Sequence, residues 1–324
     1  MVRTKVAARA RIACATGALL TMVSMAVSAV LQAQSPAPGT GLVDTLLQRA
    51  AATAAGTYAM KGSAIEPAAA PLPVLVQADV LRGPERTVRV PVVVGADLLQ
   101  AAEIRLRVVS IATTGQAPRV MGNATGTGAA GPLRFVHEFA LAPGEYEIQA
   151  VVGQSSAGAG ATATLVKSRL TVPDVWAGAL AVTPVVLGED SGEARRNENR
   201  PFSFGPTSLI PAVQARFRQN GAIRVAFRVF NWSGKAGERP DLTAEYLFYE
   251  QGAKGFHFFN KVKPQQLTVA TPGDSSDLTG GAATGGMLVP LSSFTFGDFQ
   301  LRVSVTDNRN KQSAEGRVDF TVSP

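Results

Sequence analysis

The residues that could perform chemistry are few and lie far apart in the chain. Its 324 residues include two histidines, His137 and His257, and a single cysteine, Cys14. A Ser-His-Asp arrangement would need a histidine that is hydrogen-bonded to both a nucleophile and a carboxylate. Both histidines instead lie in strand-like contexts, FVHEF and FHFF. Zinc would need more histidine or cysteine ligands than these. The sequence therefore predicts no catalytic residue, no metal site and no cofactor.

Aromatic side chains between residues 232 and 259 form the main candidate for a binding surface. Exposed aromatic rings on a β-sheet stack on sugar rings or anchor a partner protein. The alternation of Tyr246 and Phe248 favours the alternative, in which these rings fill a hydrophobic core. The residues predicted to contact a ligand are Trp232, Tyr246, Tyr249, Phe256 and Phe258.

A second candidate surface consists of arginines that alternate with apolar residues. In a strand with one buried face, such arginines lie on the opposite, solvated face. A solvated sheet face is the favoured interpretation, and binding of anionic polysaccharide or of a membrane is the alternative. These arginines are Arg105, Arg107, Arg224, Arg228 and Arg302.

The elements that must position these side chains are β-strands. Apolar residues recur at every second position in residues 88–94, 104–108 and 223–229, which is the period of a strand with one buried face. The 32 glycines and 20 prolines supply turns between strands. We predict an all-β fold of two tandem immunoglobulin- or fibronectin-III-like β-sandwiches, the first over residues 73–173 and the second over 178–324.

A short internal repeat supports two related modules. Residues 143–150 and 296–303 each contain a glycine turn, an acidic residue, an aromatic residue and an alternating strand. Each repeat leads to a similar ending, LTVP in the first module and FTVS in the second. The aromatic residue after the glycine resembles the corner aromatic of immunoglobulin-like sandwiches.

A hairpin is predicted in the second module. Residues 213–218 and 223–230 alternate in the manner of strands and flank Asn220 and Gly221. An Asn-Gly pair favours the positive φ angles of a type I′ turn. We therefore expect these two strands to be paired neighbours.

The first 33 residues have the features of a secretory signal peptide. Four basic residues precede an uncharged, mainly apolar run over residues 12–31, and cleavage is expected after Ala33. The alternative is an uncleaved N-terminal anchor, because the run is about as long as a membrane-spanning helix. Residues 34–72 are expected to be a linker that contains one short amphipathic helix over residues 42–55.

The charge balance argues against nucleic acid as a partner. The whole chain has a formal net charge of +7. Removal of the four basic residues of segment 1–33 leaves 27 basic and 24 acidic residues, a net charge of +3. Proteins that bind nucleic acid usually carry a stronger concentration of positive charge.

Residues 133–324 resemble the C-terminal half of secreted proteins described as von Willebrand factor A-related, which are common in Acidobacteria. The resemblance rests on the run LAPGEY at 141–146, the TVPD junction at 171–174 and the closing segment 297–307. Those proteins have an upstream A-domain with an Asp-x-Ser-x-Ser metal loop, which residues 34–133 lack. Asp319, Thr321 and Ser323 match that spacing only loosely, on the last predicted strand. The resemblance therefore implies a sandwich fold and export, but no metal or ligand residue.

These features predict a non-enzymatic, exported interaction or scaffold protein. We expect it to be secreted or periplasmic and to bind a protein or a cell-envelope glycan, and to contact a membrane only if the N-terminal segment is uncleaved. The alternative is a pair of carbohydrate-binding modules that uses the aromatic residues of the second module. A hydrolase is the third hypothesis, because loops from different strands can converge on a site that the sequence does not display.

Overall fold

The computed structural model describes residues 40–61, 64–68, 71–111, 117–156, 160–190, 201–204, 207–234, 238–267, 270–271 and 282–324. These residues form an all-β structure with one α-helix, which confirms the predicted all-β class. The signal peptide predicted over residues 1–33 lies outside the described residues.

Strands make up most of the elements, and the helix precedes them in the chain. The first part of the chain contains helix α1 (Thr40–Gln48), a 3-10 turn at Pro84–Arg86 and the strands β1 (Gly56–Lys61), β2 (Ala64–Pro67), β3 (Val74–Ala78), β4 (Leu81–Arg82), β5 (Val88–Leu98), β6 (Ala102–Ser110), β7 (Val120–Gly128), β8 (Gly131–Leu141), β9 (Gly144–Ser156) and β10 (Gly160–Val172). The second part contains the strands β11 (Ala181–Val182), β12 (Val186–Asp190), β13 (Ser203–Phe204), β14 (Thr207–Pro211), β15 (Arg216–Arg218), β16 (Ala222–Phe230), β17 (Leu242–Gly252), β18 (Gly255–Leu267), β19 (Ala270–Thr271), β20 (Ala282–Pro290), β21 (Gly297–Asp307) and β22 (Ser313–Ser323).

Within the described ranges, the strands form four sheets. A six-stranded sheet has the order β2-β1-β10-β9-β6-β7, and a four-stranded sheet places β8 on one side of β5 and both β3 and β4 on the other. A seven-stranded sheet has the order β13-β14-β12-β16-β20-β19, with β11 also paired to β16. A five-stranded sheet has the order β15-β22-β21-β17-β18.

Two large hydrophobic cores lie between pairs of these sheets. The six-stranded and four-stranded sheets enclose the first core, in which Ile104 of β6 and Val92 of β5 are fully buried. The seven-stranded and five-stranded sheets enclose the second core, which contains Phe227 of β16 and Phe299 of β21. The predicted alternation is present in β6, β17 and β21, where every second side chain is buried.

The internal repeat has the same strand register in both cores. Gly144 pairs with Val172 and Tyr146 with Leu170, while Gly297 pairs with Val322 and Phe299 with Phe320. Both glycines have positive φ angles, of 155° and 150°, in a region that side chains disfavour. Each glycine turn therefore places a buried aromatic ring at the start of the penultimate strand.

The N-terminal segment is more ordered than predicted. The expected helix over residues 42–55 ends at Gln48, and two strands, β1 and β2, replace the expected linker. Leu42 and Leu46 pack on the outer face of the six-stranded sheet, and β1 then pairs with β10. The helical pattern of the sequence could not show that this sheet had a free edge for β1 to occupy.

Two of the predicted surface arginines hold this helix in place. The Nε atom of Arg105 lies 3.3 Å from a carboxylate oxygen of Asp44, and Nη1 of Arg107 donates a 2.9 Å hydrogen bond to the carbonyl of Leu47. Both arginines are on the outer face of the six-stranded sheet, as predicted, but α1 covers that face.

The predicted hairpin at Asn220 and Gly221 is absent. Strand β15 pairs in parallel with β22 in the five-stranded sheet, whereas β16 belongs to the seven-stranded sheet. Neither Asn220 nor Gly221 has a positive φ angle, so the turn is not of the type I′ kind. The ring of Phe217 packs against the second core, which draws β15 away from β16.

The four-stranded and seven-stranded sheets pack against each other face to face. Val92, Val93 and Val94 of β5 are all fully buried; Val93 faces a cluster that also contains Val186 and Ala226 of the seven-stranded sheet. The approach is close, since a side chain at Gly95 would come within 2.7 Å of the Cα atom of Val213. The two pairs of sheets are therefore in direct contact.

A buried ion pair crosses this interface. The Nε and Nη2 atoms of Arg228 each donate a 3.0 Å hydrogen bond to Asp79, and the two side chains are 2% and 0% exposed. Asp79 also accepts hydrogen bonds from the backbone N–H groups of Val80 and Phe202. The prediction that Arg228 lies on a solvated face is wrong, because a second sheet covers that face of β16.

Replacement of Asp79 with leucine should lower the free energy of unfolding by about 3–5 kcal/mol, because the Arg228 guanidinium would stay buried without a counter-ion. Urea denaturation at neutral pH measures this loss. The control is Glu138→Leu, which removes the partly exposed ion pair between Glu138 and Arg89 and should cost less than about 1 kcal/mol. Equal losses in the two variants would contradict the role of the buried pair.

Candidate functional site

A row of cross-strand neighbours lies on the outer face of the five-stranded sheet. Phe258 of β18 pairs with Tyr249 of β17, Tyr249 pairs with Gln300 of β21, and Gln300 pairs with Asp319 of β22. These residues lie side by side because side chains directly opposite each other on paired strands share one face. We call these four residues, together with Arg302, the aromatic row.

The side chains of the aromatic row contact one another in sequence. The rings of Phe258 and Tyr249 meet edge to face at 6.0 Å, and the Arg302 guanidinium lies 4.3 Å from the centre of the Tyr249 ring. Arg302 donates a 2.7 Å hydrogen bond to Gln300, which donates a 2.9 Å hydrogen bond to Asp319. Each side chain is thus held by its neighbours, which reduces the conformational entropy that a ligand would have to remove.

The structure brings three of the five predicted ligand residues together. Phe256 and Phe258 are 39% and 54% exposed, and Tyr249 is half-buried beside Phe258. Tyr246 is fully buried in the second core, so its prediction as a ligand contact is wrong. The alternation of Tyr246 with Phe248 had indicated this core position.

Trp232 lies apart from the aromatic row and packs partly against the second core. Its loop is anchored at the far end of β21, where Asp307 accepts hydrogen bonds from the backbone and the hydroxyl of Ser233. Gln300 and Asp307 are seven positions apart, which is roughly 23 Å along a strand. Trp232 therefore belongs to a different surface from Tyr249 and Phe258.

The fully buried carboxylate of Asp307 has a lowered pKa. Burial alone would raise this pKa, but hydrogen bonds from the backbone and hydroxyl of Ser233 and from the backbone of Arg309 outweigh it. These donors stabilise the ionised form. Asp307 thus ties the loop that follows β16 to the turn between β21 and β22.

A cleft of about 720 Å³ adjoins the aromatic row. Gln300 and Asp319 belong to both, so the row leads directly into the cleft. The remaining walls come from β3, from the ends of β9 and β10, from residues 182–185 at the end of β11 and in the loop after it, and from β22. Its lining includes both signs of charge, with Arg169 on β10 and Glu315 and Arg317 on β22.

The described residues show no constellation suited to metal binding. No group of three or more histidine, cysteine, aspartate or glutamate side chains lies close enough together there to hold an ion. His137 and His257 lie on β8 and β18, in different sheets. Within the same ranges, no helix is long and apolar enough to cross a membrane.

Comparisons with known proteins do not assign the chain to a family. No family model and no curated protein matches the chain. Among solved structures the chain is similar to red sea bream transglutaminase, with 12% sequence identity, a TM-score of 0.22 and coverage of 78% of this chain. The similar region spans 31% of that protein.

Sequence reasoning missed Gln300, Asp319 and the cleft. The alternation of Gln300 and Arg302 with buried Leu301 and Val303 did indicate that both face outward. No local signal could show that β21 lies beside β17, or that residues 168–171 and 315–319 line one cleft, because strand order is set by tertiary packing.

Alanine at Tyr246 should lower the free energy of unfolding by about 3–5 kcal/mol, because a large buried ring leaves a cavity. The matched control is Phe258→Ala, which should change it by about 0.5 kcal/mol or less, because half of that side chain is already in water. Urea denaturation of both variants tests this placement. Similar losses would mean that the two rings are not on opposite faces.

Asp307→Asn should be less stable than the wild type at neutral pH by about 1–3 kcal/mol, because hydrogen bonds to a charged acceptor are lost. A group whose pKa is lowered by folding contributes stability above its unfolded pKa and loses it as the pH falls through the folded value. The difference between the two proteins should therefore be constant from about pH 7 to 5 and shrink below the ordinary value of 3.8. An unchanged difference at about pH 3, measured by urea denaturation, would contradict the lowered pKa.

Proposed function

We propose that this chain is a non-enzymatic, exported interaction protein that binds a protein of the cell envelope or of the extracellular space. The observation that carries the proposal is the aromatic row, in which the exposed ring of Phe258, the half-buried ring of Tyr249 and hydrogen-bonded polar groups share one sheet face. Aromatic residues and arginine dominate the energy of protein interfaces. On the aromatic row, Phe258, Tyr249 and Arg302 contact one another in this way.

We further propose that the two pairs of sheets are immunoglobulin- or fibronectin-III-like sandwiches. The repeated glycine turn supports this, because it places Tyr146 and Phe299 at equivalent positions. The hydroxyl of Tyr146 donates a 2.8 Å hydrogen bond to the carbonyl of Ala142, the contact that defines a tyrosine corner. The pattern of residues 1–33 and the resemblance to von Willebrand factor A-related secreted proteins support export to the periplasm or beyond.

A carbohydrate-binding role is the second candidate. The exposed ring of Phe258 and the half-buried ring of Tyr249 offer stacking faces for a sugar. The guanidinium of Arg302 and the carboxylate of Asp319 lie beside them and could donate to or accept from sugar hydroxyls. Gln300 is only 7% exposed and holds these two side chains in place through its amide. The same surface therefore fits a cell-envelope glycan as well as a protein.

The double variant Tyr249→Ala, Phe258→Ala should lose at least about 10-fold in affinity for the partner, because each anchor ring contributes on the order of 1–2 kcal/mol. To identify the partner, a photo-crosslinker is placed near Tyr249 in the mature chain, and the crosslinked product is isolated from envelope extracts. The affinity for the purified partner is then measured by interferometry. Leu99→Ala, at a 92% exposed apolar residue outside the row, is the control.

A glycan array probed with the same three proteins distinguishes the two candidates. Array binding that is lost only in the double variant favours the carbohydrate role. Unchanged partner and glycan binding by the double variant would show that the aromatic row is not the binding surface, and turnover of a substrate by the purified chain would overturn the non-enzymatic assignment.

A further inference from the structure

Strand edges, rather than sheet faces, line the cleft beside the aromatic row. Side chains alternate along a strand, so a pocket above one sheet face is lined by every second residue. This cleft is instead lined by the consecutive residues 75–78 of β3, 168–171 of β10 and 315–319 of β22. Consecutive residues of a strand can all line a cleft only where the cleft lies along the edge of that strand and contacts its backbone.

Strand β22 has an edge that is only partly paired. On one side it pairs with β21 from Ser313 to Val322. On the other side it pairs with β15 only from Thr321 to Ser323. Within the described residues, no strand occupies the edge from residue 313 to 320, and an unoccupied edge is a template for a further strand.

The backbone groups at this edge can be assigned from the paired part of the strand. The N–H of Thr321 donates to the carbonyl of Ala215, and the carbonyl of Ser323 accepts from the N–H of Gln219. Odd-numbered residues of β22 therefore direct their backbone groups away from β21. Because this direction alternates along an antiparallel strand without a bulge, the N–H and C=O groups of Glu315, Arg317 and Asp319 point toward the open edge.

The two faces of this edge have different chemistry. Glu315, Arg317 and Asp319 place charged, exposed side chains on the outer face of the sheet. On the other face lie buried Gly316 and half-buried Val318, next to Val182 of β11 and Val185 of the loop before β12. A strand added at this edge would therefore fit best if its own side chains were apolar on the face toward the valines and polar or charged on the outer face.

We propose that the cleft binds an extended segment of a partner polypeptide, which adds to the open edge of β22 as a further strand. Main-chain hydrogen bonds to Glu315, Arg317 and Asp319 give affinity, and alternating apolar and charged side chains give selectivity, as in other cases of strand addition. The edge from 313 to 320 accommodates about eight residues, or roughly 26 Å of extended chain. This inference rests on the proposed function, because it names how the partner is bound.

A second copy of this chain does not fit the cleft in the same way. The edge of β22 lies in a cleft whose other walls are β3, β10 and residues 182–185. An identical edge would bring its own walls into the same space. A free, extended segment carries no such walls, so it is the occupant that the shape of the cleft selects.

The test uses the full chain and a phage-displayed library of random peptides of about twelve residues, long enough to cover one strand. We expect the selected peptides to alternate apolar and polar residues. Arg317→Pro should weaken their binding at least about 10-fold, because proline removes an edge N–H while the bonds to β21 stay intact. Arg317→Ala keeps that N–H and should change binding less than about 3-fold.

Amide hydrogen exchange of the wild type provides a readout that does not depend on a variant folding. A saturating concentration of peptide should slow amide exchange at Glu315, Arg317 and Asp319 by at least about 10-fold. The exchange rates of Gly316 and Val318, whose N–H groups point toward β21, should not change. Equal protection of odd and even positions, or equal peptide affinity of Arg317→Pro and the wild type, would overturn strand addition. So would a concentration-dependent dimer of the chain that Arg317→Pro abolishes.

The outcomes separate this inference from the proposed function. Partner binding that needs Tyr249 and Phe258 but is unaffected by Arg317→Pro would leave the aromatic row as the interface and remove strand addition. If peptide binding needs the edge N–H of Arg317 but partner binding is unaffected by changes in the aromatic row, strand addition would stand and the aromatic row would be removed as the interface.

Discussion

The buried pair between Asp79 and Arg228 is the interaction on which the arrangement of the sheets depends. Moving a charged side chain out of water costs free energy unless the charge is paired and hydrogen-bonded. The Asp79 carboxylate accepts four hydrogen bonds, two of them from Arg228, and the guanidinium also donates to the carbonyl of Ser203. This geometry requires the four-stranded and seven-stranded sheets to stay in register, because any displacement would leave one charge buried and unpaired.

The cleft is a consequence of that rigid interface. The side chain of Gln77 on β3 donates to the carbonyl of Leu187 and accepts from its N–H, so β3 is held against the seven-stranded sheet two residues from Asp79. Strand β3 forms one wall of the cleft, and β22 of the five-stranded sheet forms another. The cleft is thus shared by both halves of the chain, and its shape depends on how the two halves pack together.

Much of the fold could be predicted from local patterns, and the errors share one cause. Alternation identified strands such as β6 and β21, and the glycine repeat identified two equivalent turns, each followed by a strand. The hairpin at Asn220, the solvated face of Arg228 and the linker before residue 72 were wrong. In each case a second sheet or a free strand edge, distant in sequence, offered more burial or hydrogen bonding than the local preference did.

The proposed binding surface shows the same division. Strand periodicity placed Arg302 on the face opposite the core and made Phe256 and Phe258 candidate contacts, although the favoured interpretation of the aromatic rings as a group was that they fill the core. The tertiary structure alone places Tyr249 beside Gln300 and brings β10 and β22 to one cleft. The core position of Tyr246, by contrast, was already indicated by its alternation with Phe248. The physical reason is that side-chain alternation is a local property of one strand, whereas strand order and exposed edges are settled by which sheets bury each other's faces.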